Sequence, residues 1–177
     1  CQGFPSALDW VPDLRNPPGN FAIGAGMSLR LLLLGFVAGF LATLLFHQSL
    51  WYIFNQIGLI SLRRPAWPTD AIPPFGVPSL LSKAFWGGLW GLALAPLLGR
   101  LNGSTYWLSW IGAGAIALPL VALFLVPPLK GLDIPPLWPR YLVSMMLNAT
   151  WGLGTAVILR LLGAGRSTSN AAACDKA

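Results

Sequence analysis

A chain of 177 residues that is 55% hydrophobic and only 9% charged cannot coat a soluble globule, whose residues are about 25% charged. Its mean hydropathy of +0.67 points to one compact membrane domain. The net charge of +6 does not mark a nucleic-acid binder: the 11 Lys and Arg stand singly at segment ends, apart from Arg63-Arg64. Flanking residues that snorkel to headgroups are distributed in this way, and basic runs interleaved with aromatics are missing.

Residues 1–26 are loop-like and contain no apolar stretch long enough for a signal-peptide core. Met27-Ser28-Leu29-Arg30, followed by apolar residues, reads as a natural bacterial start, so residues 1–26 are expected to be a flexible extension. Cys1 and Cys174 lie at opposite ends and form no disulfide framework.

A helix that crosses a bilayer needs about 20 mostly apolar residues. Four windows qualify: 29–54, 80–98, 106–126 and 141–162. The first apolar run continues towards Ile60, which exceeds the hydrocarbon thickness, so tilt or an interfacial last turn is expected. Between spans one and two lies SLRRPAWPTDAIPPFGVPS, whose five prolines predict a non-helical surface crossing. Pro78 sets up the start of span two, and Ser79 is expected as its N-cap. Residues 99–104 form a short turn between spans two and three, and a second proline-rich loop, 127–136, joins spans three and four. The four-span domain covers residues 27–165, and the Ser/Ala-rich residues 166–177 are expected to be disordered. The fold class is an all-α polytopic bundle.

An echo runs through the chain. Trp90-Gly91-Leu92 follows Pro78 at the same distance as Trp151-Gly152-Leu153 follows Pro139, and Ala95 and Ala156 keep the offset. The pattern suggests two helical hairpins related as parallel repeats about an axis along the membrane normal.

Gly87, Gly91, Ala95 and Gly99 recur every fourth residue and so form one stripe on span two. Lipid tails give apolar helices no hydrophobic reason to associate, so close backbone packing along small residues must supply the attraction. Span one carries a matching Gly35-x-x-x-Gly39, and these two faces are expected to dock.

The spans contain no Asp or Glu: Asp9, Asp13, Asp70, Asp133 and Asp175 all lie in tails or loops. Proton-coupled exporters need an intramembrane carboxylate, and acid–base catalysis needs pairs of titratable groups. No GxSxG elbow or phosphate-binding glycine loop is present. No catalytic or metal-ligating set is therefore expected, the chain is not read as an enzyme, and no cofactor is assigned. His47 is the one histidine and the weak candidate for a haem or chlorophyll ligand; the plainer reading is a hydrogen-bonded residue near the interface. Gln48 extends the polar patch, and His47, Trp51 and Asn55 share a helix face. Asn148 and Thr150 give span four a polar spot, expected to hydrogen-bond across helices.

Six basic residues fall on the termini face and five on the loop face, so the positive-inside rule places both termini in the cytoplasm by a narrow balance.

The residues Phe46-His47-Gln48, Pro74-Phe75-Gly76-Val77-Pro78 and Ala84-Phe85-Trp86-Gly87-Gly88-Leu89-Trp90-Gly91 resemble a family of small inner-membrane proteins of proteobacteria. The resemblance covers spans one and two well and the rest loosely. It implies four spans, a bacterial inner-membrane location and Met27 as the start, and it implies no activity, substrate or cofactor. The expected function is that of a non-enzymatic helix-packing or accessory protein; a small-solute transporter or channel, and a pigment- or haem-binding subunit using His47, are the alternatives. Its expected partners are the lipid bilayer and either a second copy or a membrane complex.

Overall fold

The computed structural model describes residues 29–60, 65–133, 138 and 140–163. The readings made for residues 1–26, for Met27 as a start and for residues 166–177 lie outside the described residues.

The fold is an all-α bundle of four helices, each long and apolar enough to cross a membrane: span one Leu29–Gln56, span two Ser79–Leu98, span three Gly103–Leu129 and span four Arg140–Leu161. Strands β1 (Ala71–Ile72) and β2 (Val77–Pro78) pair antiparallel in the loop before span two. Span one packs closely on spans two and four, and span four packs on span three; spans two and three approach each other more sparsely. Large apolar side chains such as Leu33, Leu97, Leu108 and Ile116 are exposed on the outside, as lipid-facing side chains are. The interior instead holds Ala38, Ala42, Ala84, Ala95 and Ala156, with Trp110 and Trp151 as its largest side chains.

Glycine explains the closest approaches. A Cβ placed on Gly39 would overlap the Gly87 carbonyl and stand 3.1 Å from Gly91 Cα; one on Gly35 would stand 2.6 Å from Ala95 Cβ. The backbones of spans one and two therefore touch, which no larger residue would allow. A Cβ on Gly99, the last small residue of the stripe, would stand 3.6 Å from Leu31 Cδ1.

The second hairpin repeats this geometry. A Cβ on Gly114 would overlap the Asn148 carbonyl and stand 3.3 Å from Gly152 Cα. One common offset carries Gly87 to Asn148 and Gly91 to Gly152, and another carries Gly35 to Trp110 and Gly39 to Gly114. Gly91 faces the Gly35 carbonyl, and Gly152 faces the Trp110 carbonyl. Both hairpins thus use the same backbone register.

Helix lengths alternate. Spans one and three have 28 and 27 residues, about 42 and 40 Å at 1.5 Å per residue. Spans two and four have 20 and 22 residues, about 30 and 33 Å. Counted from the Gly39–Gly87 contact, Ser79 is level with His47; counted from the Gly114–Asn148 contact, Arg140 is level with Ala122. The long helices therefore overhang on the loop side, which is how the surplus apolar length of span one is accommodated.

Spans one and three contain π-helical turns, at Thr43–His47, Ala113–Ala117 and Val121–Leu125. Pro119 and Pro127 explain the two in span three, because neither ring nitrogen can donate to the preceding turn. The turn in span one has no proline and a different cause, described below.

Ser79 is not an N-cap. Pro78 holds that position with no side-chain cap bond, and Ser79 Oγ donates to Pro68 O at 3.1 Å. The first amides are satisfied by the loop backbone instead: Ser79 N donates to Asp70 O at 2.9 Å and Leu80 N to Pro68 O at 3.0 Å.

Candidate functional site

The polar residues of span one gather around its π-helical turn. Thr43 is 4% exposed, and its Oγ1 donates to Gly39 O at 3.0 Å. Trp151 Nε1, from span four, donates to the same oxygen, also at 3.0 Å. Gly39 thus lets span two approach with its Cα and offers its carbonyl to two side chains. Just beyond, the Gln48 amide reaches back five residues to Thr43 O. That bond leaves Leu44 O without its usual donor from the fourth residue on. Trp67, in the loop, supplies one: its Nε1 donates to Leu44 O at 3.2 Å. Two indole donors from outside the helix therefore bracket the π-turn, and π-turns often accompany local polar demands of this kind.

His47 and Gln48 follow directly. Gln48 is 1% exposed and His47 half-buried. Among the described residues, His47 Nδ1 and Gln48 Nε2 are buried without a hydrogen-bond partner, as is Trp110 Nε1. The hydrogen bond expected of His47 is not made by its Nδ1 among the described residues. One turn further, Lys83 Nζ of span two lies 5.7 Å from the Trp51 ring centroid, a cation–π distance. Beyond that, Tyr52, Asn55, Gln56, Pro65, Ala66 and Trp67 line an open surface cleft of about 290 Å³. The Tyr52 and Trp67 rings stand 5.9 Å apart in its wall.

The polar spot on span four differs from expectation. Asn148 Nδ2 donates to Ser144 O at 2.8 Å and Thr150 Oγ1 to Met146 O at 3.0 Å, both within their own helix. On a helix a short polar side chain reaches its own preceding turn more easily than a neighbouring span. Asn148 does meet span three, through its backbone carbonyl at Gly114.

Two side chains that bridge helices carry no sequence signal of their role. Trp151 is one; in the sequence it is only part of the echo. Tyr106 is the other: it is 3% exposed, and its hydroxyl donates to Ala156 O at 2.8 Å. The Arg160 guanidinium lies over the Tyr106 ring at 4.3 Å and near the Trp107 ring at 5.8 Å. This stack closes the termini end between spans three and four.

Chemically, the patch on span one presents one imidazole, one amide and aromatic walls. Among the described residues no group of three His, Cys, Asp or Glu side chains could hold a metal ion. Lys83 lies beside this patch, and the described acids Asp70 and Asp133 lie outside the spans. Comparison with protein-family models, with curated proteins and with solved structures gives no match.

Proposed function

We propose that this chain is a multi-pass protein of the bacterial inner membrane that acts without catalysis, as a helix-packing or accessory component, with both termini in the cytoplasm. The observation that carries this reading is how the interior is occupied. Backbone meets backbone along Gly35, Gly39, Gly87 and Gly91, and again along Trp110, Gly114, Asn148 and Gly152. Trp110 and Trp151, both at most 1% exposed, fill the centre, with rings 6.5 Å apart. A solute path would run where these side chains pack. The resemblance of the FHQ and PPFGVP segments to small proteobacterial membrane proteins supports the location.

One observation favours a second reading, in which the patch on span one holds a pigment or haem: His47 Nδ1 and Gln48 Nε2 lack partners among the described residues. The test combines two measurements on protein purified from its native membrane and reconstituted in liposomes. A colourless preparation that leaks no small ions or solutes above empty liposomes is expected. A visible absorption band lost in His47→Gln would replace the packing reading with the pigment reading, and protein-dependent flux would replace it with the transporter reading.

A further inference from the structure

The segment of residues 65–78 combines three features. Its backbone is poor in donors, it exposes large apolar side chains, and it lies at a depth set by the helices. Pro65, Pro68, Pro73, Pro74 and Pro78 carry no amide hydrogen. Gly76 N donates to Ile72 O at 3.0 Å, closing the β1–β2 turn. Phe75, at the tip, is 88% exposed, and Ile72, Val77 and Trp67 are each at least 40% exposed. The one charge in the segment is Asp70, whose carbonyl is taken up by Ser79 N. An apolar patch of this kind is out of place in water.

The helix lengths say where it lies. The flush ends of the bundle carry Arg30, Arg100 and Arg160, and arginines at span ends sit among headgroups. From there, the long spans one and three reach about 40 to 42 Å, the thickness of a bilayer with both headgroup layers, about 40–45 Å. Span two starts level with His47, so its first residue lies nine residues, about 13 Å, below the loop-side end of span one. A segment that leads into Ser79 must therefore cross the headgroup layer, about 5–7 Å deep, and end inside the outer acyl chains. Backbone poor in amide donors suits that depth, where water no longer satisfies every amide.

We propose that residues 65–78 are an interfacial anchor that lies in the loop-side headgroup layer with Phe75 at the acyl boundary. The partner of this surface is the lipid bilayer. Leu81, Phe85 and Trp86 on the first turns of span two are exposed as Phe75 is, and aromatic side chains favour the headgroup level. The anchor also holds Trp67 beside span one, where it donates to Leu44 O. The inference needs only the four spans and is independent of what the protein does.

The test places a nitroxide on Phe75→Cys, and separately on Ile72→Cys, in a chain with Cys1→Ser and Cys174→Ser. The proteins are reconstituted in phosphatidylcholine–phosphatidylglycerol liposomes. Collision rates with oxygen and with a water-soluble nickel chelate give the depth, calibrated on lipids labelled along their chains. Both labels should read within about 5 Å of the headgroup–acyl boundary. Collisions dominated by the nickel chelate would place the segment in water and overturn the anchor. A label shielded from both reagents would mean that protein, a second copy or another part of the chain, covers it, and would overturn the anchor equally. Labelled variants must melt at the temperature of their cysteine-free parent; Ile72 serves if Phe75→Cys does not.

Discussion

Trp151 Nε1 and Gly39 O, 112 residues apart in the chain, are hydrogen-bonded at 3.0 Å, and this bond joins the two hairpins at the depth where spans one, two and four converge. Thr43 Oγ1 shares the acceptor. Trp151→Phe keeps the ring and removes the donor, so it should lower stability in detergent by about 0.6 to 2 kcal/mol. Trp151→Phe combined with Thr43→Ala strips both side-chain donors from the carbonyl and should cost more than the sum of the single changes. Unfolding of the four proteins in a double-mutant cycle reads this coupling; strict additivity would show that the two donors act independently.

Gly154 faces the Phe46 ring so closely that a Cβ would stand 2.5 Å from Phe46 Cγ. Gly154→Ala should therefore destabilise by about 1 to 3 kcal/mol, the usual range for overpacking. Phe46→Ala should cost less in the Gly154→Ala background than in the wild type, because it removes the Cγ and Cδ2 atoms that the new methyl would meet. The stabilities of both single variants and the pair decide it: strict additivity would mean that the ring is not the obstacle.

His47 gives a prediction opposite to that of an ordinary buried polar residue. Its Nδ1 is buried without a partner among the described residues, and a polar atom so placed costs free energy. His47→Leu should leave the melting temperature unchanged or raise it, and His47→Gln should fold normally. A drop of more than about 1 kcal/mol in His47→Leu would show that the imidazole has a hydrogen-bond partner in the membrane.

At the other end of the bundle, Tyr106 ties span three to span four through Ala156 O at 2.8 Å. Tyr106→Phe should cost about 0.5 to 1.5 kcal/mol, the net worth of one hydrogen bond. Arg160→Ala should cost about 0.5 to 1 kcal/mol through the lost ring stacking. Chemical unfolding of both variants separates the hydroxyl from the cation. No loss in Tyr106→Phe beside a clear loss in Arg160→Ala would instead assign the contact to the stack alone.

Much of the fold was legible in the residues themselves. The four windows read from hydropathy fall within three residues of the helix ends at Leu29–Gln56, Ser79–Leu98, Gly103–Leu129 and Arg140–Leu161. The stripe from Gly87 to Gly99 was visible because four-residue spacing maps onto one helix face, whatever the tertiary structure. The seam between spans three and four was not. Its span-three side includes Trp110, a bulky residue in any sequence pattern, yet Gly152 meets the Trp110 carbonyl while the ring turns into the core. Backbone contacts of this kind leave no mark in residue type. The π-turn at Thr43–His47 was hidden for a related reason: the carbonyl it leaves open, Leu44 O, is met by Trp67 from a distant position in the chain. Ser79 read as a cap from its type, but the loop carbonyls of Pro68 and Asp70 occupy that role.

The central claim is that two equivalent backbone seams hold the bundle, one centred on Gly91 and one on Gly152. Thermal unfolding of Gly91→Leu and Gly152→Leu, in the same detergent as the wild type, tests it most directly. A Cβ at Gly91 would overlap the Gly35 carbonyl, and one at Gly152 the Trp110 carbonyl, so neither helix can accept a leucine without moving away from its partner. Each variant should melt well below the wild type, by similar amounts, with Gly112→Leu as a control at an open position. If either Gly91→Leu or Gly152→Leu melts with the wild type and keeps its helical content, that seam does not hold the fold and the account is wrong.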